Sequence, residues 1–333
     1  MTRALITGAA GFVASHLIEY LIAKTDWHIT GTLRWQESLD NLSGVLPLAN
    51  RKERVEFVHA DLRDAWSLLI AVRKAKPDYV FHLAAQSYPL TSFTSADETM
   101  DTNAGGTLRL LEAIRDAAPE AWVHNCSSSE VYGRVRRDQL PIREDCPFAP
   151  ASPYAVSKCA ADMMGRLYAE AYGLKVVTTR MFTHTGPRRG DVFAESSFAK
   201  QIAMIEAGQI KPPVKVGNLE SLRTVADVRD AVRAYHMALT VNPQAGEAYN
   251  IGGNHVCRVG EILETLFRLA AMPAEVEIDP ARLRPVDADL QVPDCAKFKA
   301  RTGWKAEIGF EETMRDLLTY WRLRVSRGPC LNR

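Results

Sequence analysis

A tyrosine and a lysine stand four residues apart in the segment Tyr154-Ala155-Val156-Ser157-Lys158. In a helix this spacing places both side chains on one face. A free tyrosine has a pKa of about 10, too high for a base at neutral pH, but a neighbouring ammonium favours the phenolate. The pair therefore predicts a site of proton transfer in which Tyr154 and Lys158 are catalytic.

A glycine-containing turn lies near the start of the chain, between an apolar run and a helical pattern. It reads TGAAGFVA over residues 7–14, a GxxGxxA spacing. Glycines let a backbone turn tightly and approach a pyrophosphate, whose charge the helix N-terminus stabilises. The same glycines would also suit a purely structural strand–helix turn. We expect dinucleotide binding here, through Thr7, Gly8, Gly11, Phe12 and Val13.

The end of the second predicted strand indicates which dinucleotide binds. A site for NAD usually carries Asp or Glu there, to bond the adenine ribose. This chain instead reads GTLRW over residues 31–35, and the Arg34 guanidinium suits a 2′-phosphate. The sequence thus favours NADP over NAD, with a solvated surface arginine as the alternative. Further cofactor contacts are expected after the third and fourth strands, at Asp61, Leu62, Leu83, Ala84 and Ala85.

A scaffold must position these residues, and the first half of the chain alternates short apolar runs with amphipathic stretches. The predicted strands are 4–6, 27–31, 55–58, 79–83, 122–125 and 175–179, and the predicted helices include 12–21, 65–74, 107–117 and 154–172. This alternation predicts an α/β fold, a Rossmann-type doubly wound parallel sheet with helices on both faces. The small-molecule site should then lie beyond the carboxyl ends of the strands.

The alternation breaks after Met181, where a PRRG segment (187–190) opens a loop and further prolines follow. With 333 residues, the chain exceeds the size at which one hydrophobic core usually keeps growing, so two lobes are expected. We assign 1–182 and 224–252 to the cofactor-binding domain. A smaller C-terminal substrate-binding lobe takes 183–223 and 253–325, and 326–333 forms a frayed tail.

Composition argues against several classes of function. The formal net charge is +1, so the chain has no electrostatic footprint for nucleic acid or an anionic membrane. No apolar stretch reaches the ~20 residues that span a bilayer. The opening residues run into a short apolar segment that predicts a first strand and not a signal peptide. The six cysteines are scattered without metal-site spacing, which favours reduced thiols, a cytoplasmic location and no bound metal.

Further motifs carry a resemblance that covers nearly the whole chain. They are HLAAQS (82–87), SSSEVYG (127–133), SPYAVSK (152–158), GPRRGDVF (186–193), VGNLESLR (216–223), DVRD (227–230) and LRP (283–285). Together they resemble the extended short-chain dehydrogenases/reductases that modify nucleotide sugars. The resemblance is greatest to GDP-mannose 4,6-dehydratases and the related GDP-4-keto-6-deoxymannose reductases. The last four motifs are much more specific than the glycine turn.

The resemblance implies a catalytic set of Ser128, Glu130, Tyr154 and Lys158. In a dehydratase Tyr154 accepts the proton of the sugar C4 hydroxyl while hydride passes to NADP, and Ser128 bonds the C4 oxygen. Lys158 lowers the pKa of Tyr154 and holds the cofactor ribose. Glu130 then removes the C5 proton and protonates the departing C6 hydroxyl, and hydride returns to C6. The alternative for Glu130 is a structural partner that caps a loop. Reductases of this group can also carry an acid at the equivalent place, so Glu130 alone does not separate the two activities.

The resemblance also implies how a GDP-linked sugar and a second subunit bind. The residues expected to contact the sugar nucleotide are Ser87, Ser128, Thr183, Asn218, Arg223 and Arg284. The two arginines match positions that hold the diphosphate. The loop 35–41 resembles one that meets the cofactor site of a neighbouring subunit, so we expect a homodimer or homotetramer.

Two positions depart from the dehydratase pattern. Ser128 replaces a threonine, and Thr183 precedes His184 where an asparagine is usual. The first change keeps a hydroxyl, whereas the second removes an amide that typically helps to hold the substrate. Arg188 and Arg189 are left open between substrate, cofactor and a subunit contact.

The leading hypothesis is a GDP-mannose-type 4,6-dehydratase, a lyase that uses NADP catalytically. A 4-keto reductase that consumes NADPH is the first alternative, favoured by the compact length and the LRP element, and a nucleotide-sugar epimerase is the second. A non-enzymatic alternative is an NADP-sensing binding protein on the same fold. Such a protein would not need Glu130 beside Tyr154 and Lys158.

Overall fold

The computed structural model describes residues 1–328. Its helices are α1 (Phe12–Lys24), α2 (Leu46–Asn50), α3 (Ala65–Ala75), α4 (Pro89–Ser92), α5 (Ala96–Met100), α6 (Gly106–Ala117), α7 (Pro153–Tyr172), α8 (Ala194–Glu206), α9 (Val228–Thr240), α10 (Val259–Ala270), α11 (Ala296–Thr302) and α12 (Phe310–Ser326). Its strands are β1 (Arg3–Thr7), β2 (His28–Leu33), β3 (Val55–His59), β4 (Tyr79–His82), β5 (Trp122–Cys126), β6 (Lys175–Met181), β7 (His184–Thr185), β8 (Val214–Val216), β9 (Leu222–Asp227), β10 (Ala248–Ile251), β11 (His255–Arg258), β12 (Val276–Ile278) and β13 (Leu290–Gln291). A π-helical segment, Asp101–Gly105, joins α5 to α6, and a 3-10 turn spans Ser129–Tyr132. None of the helices within residues 1–328 is long and apolar enough to cross a membrane.

A seven-stranded parallel sheet dominates the fold, in the order β10-β6-β5-β4-β1-β2-β3. Helices α1 and α9 pack on one face, and α3, α6 and α7 pack on the other. The strand order reverses between β1 and β4, the place where open α/β sheets bind their ligands. The predicted Rossmann-type α/β fold is confirmed, and the ends of the predicted strands in the first half are correct to within two residues.

Helix α7, which carries Tyr154 and Lys158, has clear start and stop signals. Ser152 is its N-cap and accepts a hydrogen bond from the backbone N–H of the third helical residue at 3.1 Å. Pro153 occupies the first turn, where its missing N–H costs nothing. Gly173 ends the helix in a left-handed conformation with φ +69°. These local signals explain why the helix begins directly before the predicted catalytic tyrosine.

A buried ion pair then fixes α7 against the sheet. Asp162, one turn beyond Lys158, accepts two hydrogen bonds of 2.9 Å from the Arg180 guanidinium on β6. The same guanidinium donates to the Tyr132 hydroxyl at 2.8 Å, so the charge is satisfied inside the protein. The position of α7 along β6 is therefore set by a specific polar contact as well as by apolar packing.

A smaller layer lies over the carboxyl ends of the large sheet. In it β9 pairs with β11, β13 and β7, while β8 pairs with β12. Helices α8, α10 and α12 pack together around an apolar core that includes Phe198, Ile202, Leu263, Leu266, Leu317 and Trp321. This second core is separate from the one beneath the large sheet.

The division of the chain into a cofactor-binding domain and a smaller lobe stays a proposal. Within it, the segment that forms α11 fits the cofactor-binding domain better. Helix α11, placed in the smaller lobe from sequence, packs against β10 of the large sheet. The reason is that Phe298 and Trp304 join the apolar core of that sheet. The tail was predicted over 326–333. Its first residue, Ser326, is the last residue of α12, and 329–333, which include Cys330, lie outside the described residues.

Candidate active site

A cavity of about 840 Å³ opens between the carboxyl ends of the large sheet and the smaller lobe. With one exception, every residue predicted to act in catalysis or to bind cofactor or substrate lines this cavity. The exception is Thr7, which is fully buried behind it. Residues from both halves of the chain therefore meet in one place, and their individual roles remain predictions.

The glycine turn between β1 and α1 presents a helix N-terminus to the cavity. Gly8 has φ +69°, and a Cβ on it would lie 2.9 Å from the Cα of Ala84, so the position requires glycine. Thr7 supports the turn from behind, because its hydroxyl accepts hydrogen bonds of 3.0 Å from the N–H groups of Leu83 and Ala84. Gly11 precedes α1 without a side-chain cap, which leaves the helix terminus suited to an anion.

Two arginines stand at the end of the cavity beyond β2 and β3. Arg34 is mostly exposed, and its Nη2 lies 3.3 Å from Oε1 of Glu37. Arg63, which was not predicted from the sequence, donates to both carboxylate oxygens of Asp61 at 3.2 and 3.1 Å. These hydrogen bonds lower the pKa of Asp61, and the charge of Arg34 adds to the effect. Both guanidinium groups are thus close to the Asp61 carboxylate, one of the predicted cofactor contacts.

The tyrosine–lysine pair occupies the middle of the cavity wall. Lys158 donates from Nζ to the carbonyl oxygen of Cys126, at the end of β5, at 2.8 Å, and burial lowers the pKa of its ammonium. Burial raises the pKa of Tyr154, while the Ser128 hydroxyl and the Arg189 guanidinium act in the opposite direction. Ser128 and Arg189 therefore favour the Tyr154 phenolate, and the same effect, expected of Lys158 from its spacing and from the resemblance, stays a prediction.

Arg189 is a site residue whose role the sequence left open. Its guanidinium carbon lies 3.4 Å from the ring centroid of Phe193 and 5.3 Å from that of Phe12 in the glycine turn. Its Nε is 3.4 Å from Oε1 of Glu195, an ion pair without a hydrogen bond. A largely buried guanidinium that lines a cavity in this way is suited to an anionic ligand. The adjacent Arg188 turns instead to α1, where it bonds two side chains.

Four charged side chains alternate in sign at the other end of the cavity: Glu130, Arg284, Asp287 and Arg223. Nη1 of Arg284 donates to Oε1 of Glu130 at 3.2 Å and to Oδ1 of Asp287 at 3.3 Å. The same Oδ1 lies 3.6 Å from Nη2 of Arg223. Burial lowers the pKa of Arg223, whereas in Arg284 the two carboxylates outweigh burial and raise the pKa. Asp287 was not predicted, because nothing in its local sequence marks it.

The other predicted substrate residues surround this cluster. The Asn218 amide donates to the Ser221 hydroxyl at 2.9 Å and to Asp289 at 3.2 Å, so it is already engaged within the protein. Thr183 and Ser87 line the cavity, and their side chains form no hydrogen bond with another described residue. Their hydroxyl groups are therefore free to meet a ligand.

The cavity thus places acid–base groups between two ends that each carry arginine side chains. Arg34, Arg63 and the N-terminus of α1 stand at one end, and Arg223 and Arg284 stand at the other. Two phosphate-containing ligands that meet near Tyr154 would match this distribution of charge. Among residues 1–328, no group of three or more His, Cys, Asp or Glu side chains is arranged to hold a metal ion.

Comparison with known proteins agrees with the motifs. Residues 5–317 match the family model described as GDP-mannose 4,6 dehydratase. The chain is 33% identical over 324 residues to the GDP-6-deoxy-D-mannose reductase of Pseudomonas aeruginosa, covering 97% of this chain and 98% of that protein. It is 34% identical over 325 residues to GDP-mannose 4,6 dehydratase 2 of Arabidopsis thaliana, covering 95% of this chain and 85% of that protein.

A solved structure agrees as well. The structure of RMD from Pseudomonas aeruginosa, complexed with NADPH, superposes with a TM-score of 0.82 at 31% sequence identity. The match covers 97% of this chain and 100% of that one. The similarity therefore extends over both the large sheet and the smaller lobe.

Proposed function

The chain belongs to the GDP-mannose 4,6-dehydratase family of extended short-chain dehydrogenases/reductases, and we propose that it dehydrates GDP-mannose or a closely similar GDP-linked sugar. The sugar is oxidised at C4, water is lost across C5 and C6, and C6 is then reduced. The product is a 4-keto-6-deoxy sugar, and the reaction has no net redox change. NADP is used catalytically.

The position of Glu130 is the observation that carries this proposal. Its carboxylate lines the same cavity as Tyr154, and its charge acts on the pKa of that tyrosine. Reduction at C4 requires one acid–base group, whereas elimination of water needs a second one for C5 and C6. Glu130 is largely shielded from solvent and is suited to this second task.

Each catalytic side chain has a task that its surroundings support. Tyr154 accepts the proton of the C4 hydroxyl, with Ser128 and Arg189 favouring the phenolate that must form. Lys158, anchored on the Cys126 carbonyl, lines the same cavity and has the task of holding the cofactor ribose, as the resemblance implies. Once C4 is a ketone, the C5 proton becomes acidic, and Glu130 removes it and delivers a proton to the departing C6 hydroxyl.

The opposite end of the cavity fits NADP. Glycine at position 8 lets the backbone turn closely against Ala84, just after β4, and the uncapped α1 terminus suits a pyrophosphate. Arg34 follows β2 directly and Arg63 lies near it, which favours a cofactor with a 2′-phosphate. When bound, NADP supplies hydride acceptance from C4 and hydride donation to C6. The NADPH complex of the solved relative supports the same choice of cofactor.

A 4-keto reductase is the second candidate, and one specific observation favours it. The alignment covers 98% of the Pseudomonas aeruginosa reductase but 85% of the Arabidopsis thaliana dehydratase. Part of that dehydratase therefore has no counterpart in this chain. Such a reductase would use Tyr154 as the proton donor and would consume NADPH stoichiometrically.

We further propose a cytoplasmic homodimer or homotetramer. Four apolar side chains are exposed on neighbouring helices α6 and α7: Leu108, Val156, Met163 and Leu167. The last three share one face of α7 and would be covered by the same stripe of a second copy. The five cysteines within residues 1–328 are free thiols, which suits a reducing compartment.

Incubation of the purified protein with GDP-mannose and trace NADP tests the proposal. We expect mass spectrometry of the product to show loss of one water without added reductant. Glu130→Gln should abolish this loss while nucleotide binding is retained. Glu120→Gln, which removes an exposed carboxylate paired with a lysine, serves as the charge-matched control and should leave the product unchanged.

The reductase predicts a different outcome. GDP-mannose would then be inert, and NADPH would be oxidised when the 4-keto-6-deoxy sugar nucleotide is supplied. Full dehydration by the Glu130→Gln variant would instead remove Glu130 from the mechanism.

A further inference from the structure

Arg284 is shared between two carboxylates, and one of them belongs to the candidate acid–base residue. A single nitrogen, Nη1, donates to Glu130 at 3.2 Å and to Asp287 at 3.3 Å. Arg284 is also one of the two arginines expected to hold the substrate diphosphate. One guanidinium group therefore serves both the binding end and the reacting end of the cavity.

The two carboxylates differ in how firmly they are held. Asp287 accepts hydrogen bonds from the Ala288 N–H at 3.0 Å and the Ser221 hydroxyl at 3.4 Å, and it also faces Arg223. The Glu130 carboxylate has Arg284 as its hydrogen-bonding partner within the described residues. Of the two, Glu130 is the partner that an incoming anion can displace more readily.

The charge balance makes such a displacement favourable. Glu130 and Asp287 together neutralise Arg223 and Arg284, so the four side chains have a net charge of zero. A diphosphate brings further negative charge to the same two guanidinium groups, and bidentate phosphate contacts are among the strongest that arginine makes. The guanidinium of Arg223 is anchored by hydrogen bonds to the carbonyl oxygens of Leu222 and Ala288 at 3.1 and 2.9 Å. Rearrangement therefore falls on Arg284 and Glu130.

We infer that Glu130 and the substrate diphosphate compete for Arg284, so that arrival of the diphosphate releases Glu130 towards the sugar. A carboxylate paired with a guanidinium is held in place by that partner and is not free to turn towards the reacting carbons. Its release on binding would restrict proton abstraction to the complex with a complete sugar nucleotide. The inference rests on the proposed function for the chemical role of Glu130, whereas the competition does not depend on it.

Nucleotide affinity measures this competition without any turnover. We would titrate GDP and guanosine separately into the wild type and into Glu130→Gln by isothermal titration calorimetry at one pH and ionic strength. Removal of the competing carboxylate should tighten GDP binding roughly three- to tenfold, the range expected for one charged hydrogen bond shared with Asp287. Guanosine lacks the diphosphate and should bind both proteins equally.

Two controls separate this effect from a general one. Glu120→Gln removes an equal charge far from the cluster and should leave the affinity for GDP at the wild-type value. Glu130→Ala removes the carboxylate without leaving an amide that could accept from Arg284, and it should tighten GDP binding at least as much as glutamine does. Retained binding of NADP shows that each variant is folded.

Unchanged or weaker GDP binding in both Glu130 variants would overturn the competition, as would an equal gain for guanosine. The result is independent of the outcome for the reaction. If the wild type dehydrates GDP-mannose but neither variant binds GDP more tightly, the proposed function is supported and the competition is contradicted. If the wild type shows no dehydratase activity but the Glu130 variants bind GDP more tightly, the competition is supported and the proposed function is contradicted.

Discussion

The two acid–base groups of the cavity are positioned by different kinds of structure. Tyr154 and Lys158 lie on one helix, which a buried ion pair fixes to β6, and Lys158 donates to a backbone carbonyl. Glu130 is held by Arg284, a residue 154 positions away in the smaller lobe. The first arrangement is set by the helix itself and by buried contacts that no ligand reaches, whereas the second is set by charges in the cavity that a ligand can rearrange.

This difference separates what each region contributes. The region around Tyr154 is rigid, so its chemistry should be lost when one atom is removed, with little change in substrate binding. The cluster of Glu130, Arg284, Asp287 and Arg223 is adjustable, so changes there should alter substrate binding and chemistry together. The experiments below test the contrast, in order of decreasing effect.

Removal of the Tyr154 hydroxyl should have the largest effect on turnover. Tyr154→Phe keeps the buried ring but abolishes proton transfer at C4, so we expect kcat to fall roughly 10²- to 10⁴-fold. The KM for GDP-mannose should stay close to that of the wild type. Tyr172→Phe, at the exposed end of the same helix, is the matched control. A loss of less than about tenfold would show that another group transfers the proton.

The ion pair behind the tyrosine should contribute mainly to stability. Arg180→Met leaves Asp162 buried without its partner, so we expect the free energy of unfolding to fall by about 3 kcal/mol or more in urea. Arg136→Met breaks an exposed pair with Asp138 and should cause no measurable change. Equal stability of the two variants would contradict the rigid anchoring of α7.

In the cluster around Glu130, a change of Arg223 to lysine should weaken substrate binding. Arg223→Lys keeps the charge but loses the planar fork of donors, so we expect the KM for GDP-mannose to rise roughly tenfold. Because Arg223 also faces Asp287, a smaller fall in kcat should accompany it. Arg258→Lys, in an exposed pair with Glu261, is the control. A fall in kcat with an unchanged KM would show that Arg223 acts on the chemical step, as Tyr154 does, and not on substrate binding.

Cofactor choice should depend on Arg34 to a lesser extent, because this side chain is mostly exposed. Arg34→Met should lower the affinity for NADP several-fold and leave the affinity for NAD unchanged, as measured by fluorescence titration. Arg51→Met, in another exposed pair, should change neither affinity. If both affinities fall equally, Arg34 does not recognise the 2′-phosphate.

The smallest effect is a shift in pH dependence. Burial raises the pKa of Tyr154 and Arg189 opposes that rise, so removal of Arg189 should raise the pKa further. Less phenolate then forms at a given pH, and the acidic limb of kcat at saturating cofactor should move to higher pH in Arg189→Met. Arg188→Met, whose guanidinium bonds α1, should leave the limb in place. A shift to lower pH would contradict the assigned sign.

The same contrast explains how much of the fold and of the candidate site could be predicted from the sequence. The Tyr154–Lys158 pair, the glycine turn and the strands of the first half follow from spacing and local signals, and they were found. Asp287 was missed as a site residue and the role of Arg189 was left open, because both depend on contacts with segments far away in the chain. Likewise, α11 joins the large sheet because of where Phe298 packs, which no local pattern indicates. Local chemistry could be read from the sequence, whereas the charge network between lobes could not.

The most direct test of dehydration follows the hydrogen at C4 of the sugar. We would incubate GDP-mannose carrying deuterium at C4 with the enzyme and trace NADP, then locate the label by mass spectrometry and NMR. A 4,6-dehydratase should give a product that has lost one water and carries the deuterium at C6, with no net change in the cofactor. Loss of the label into the cofactor pool, or no reaction without NADPH and a 4-keto substrate, would contradict the proposed function.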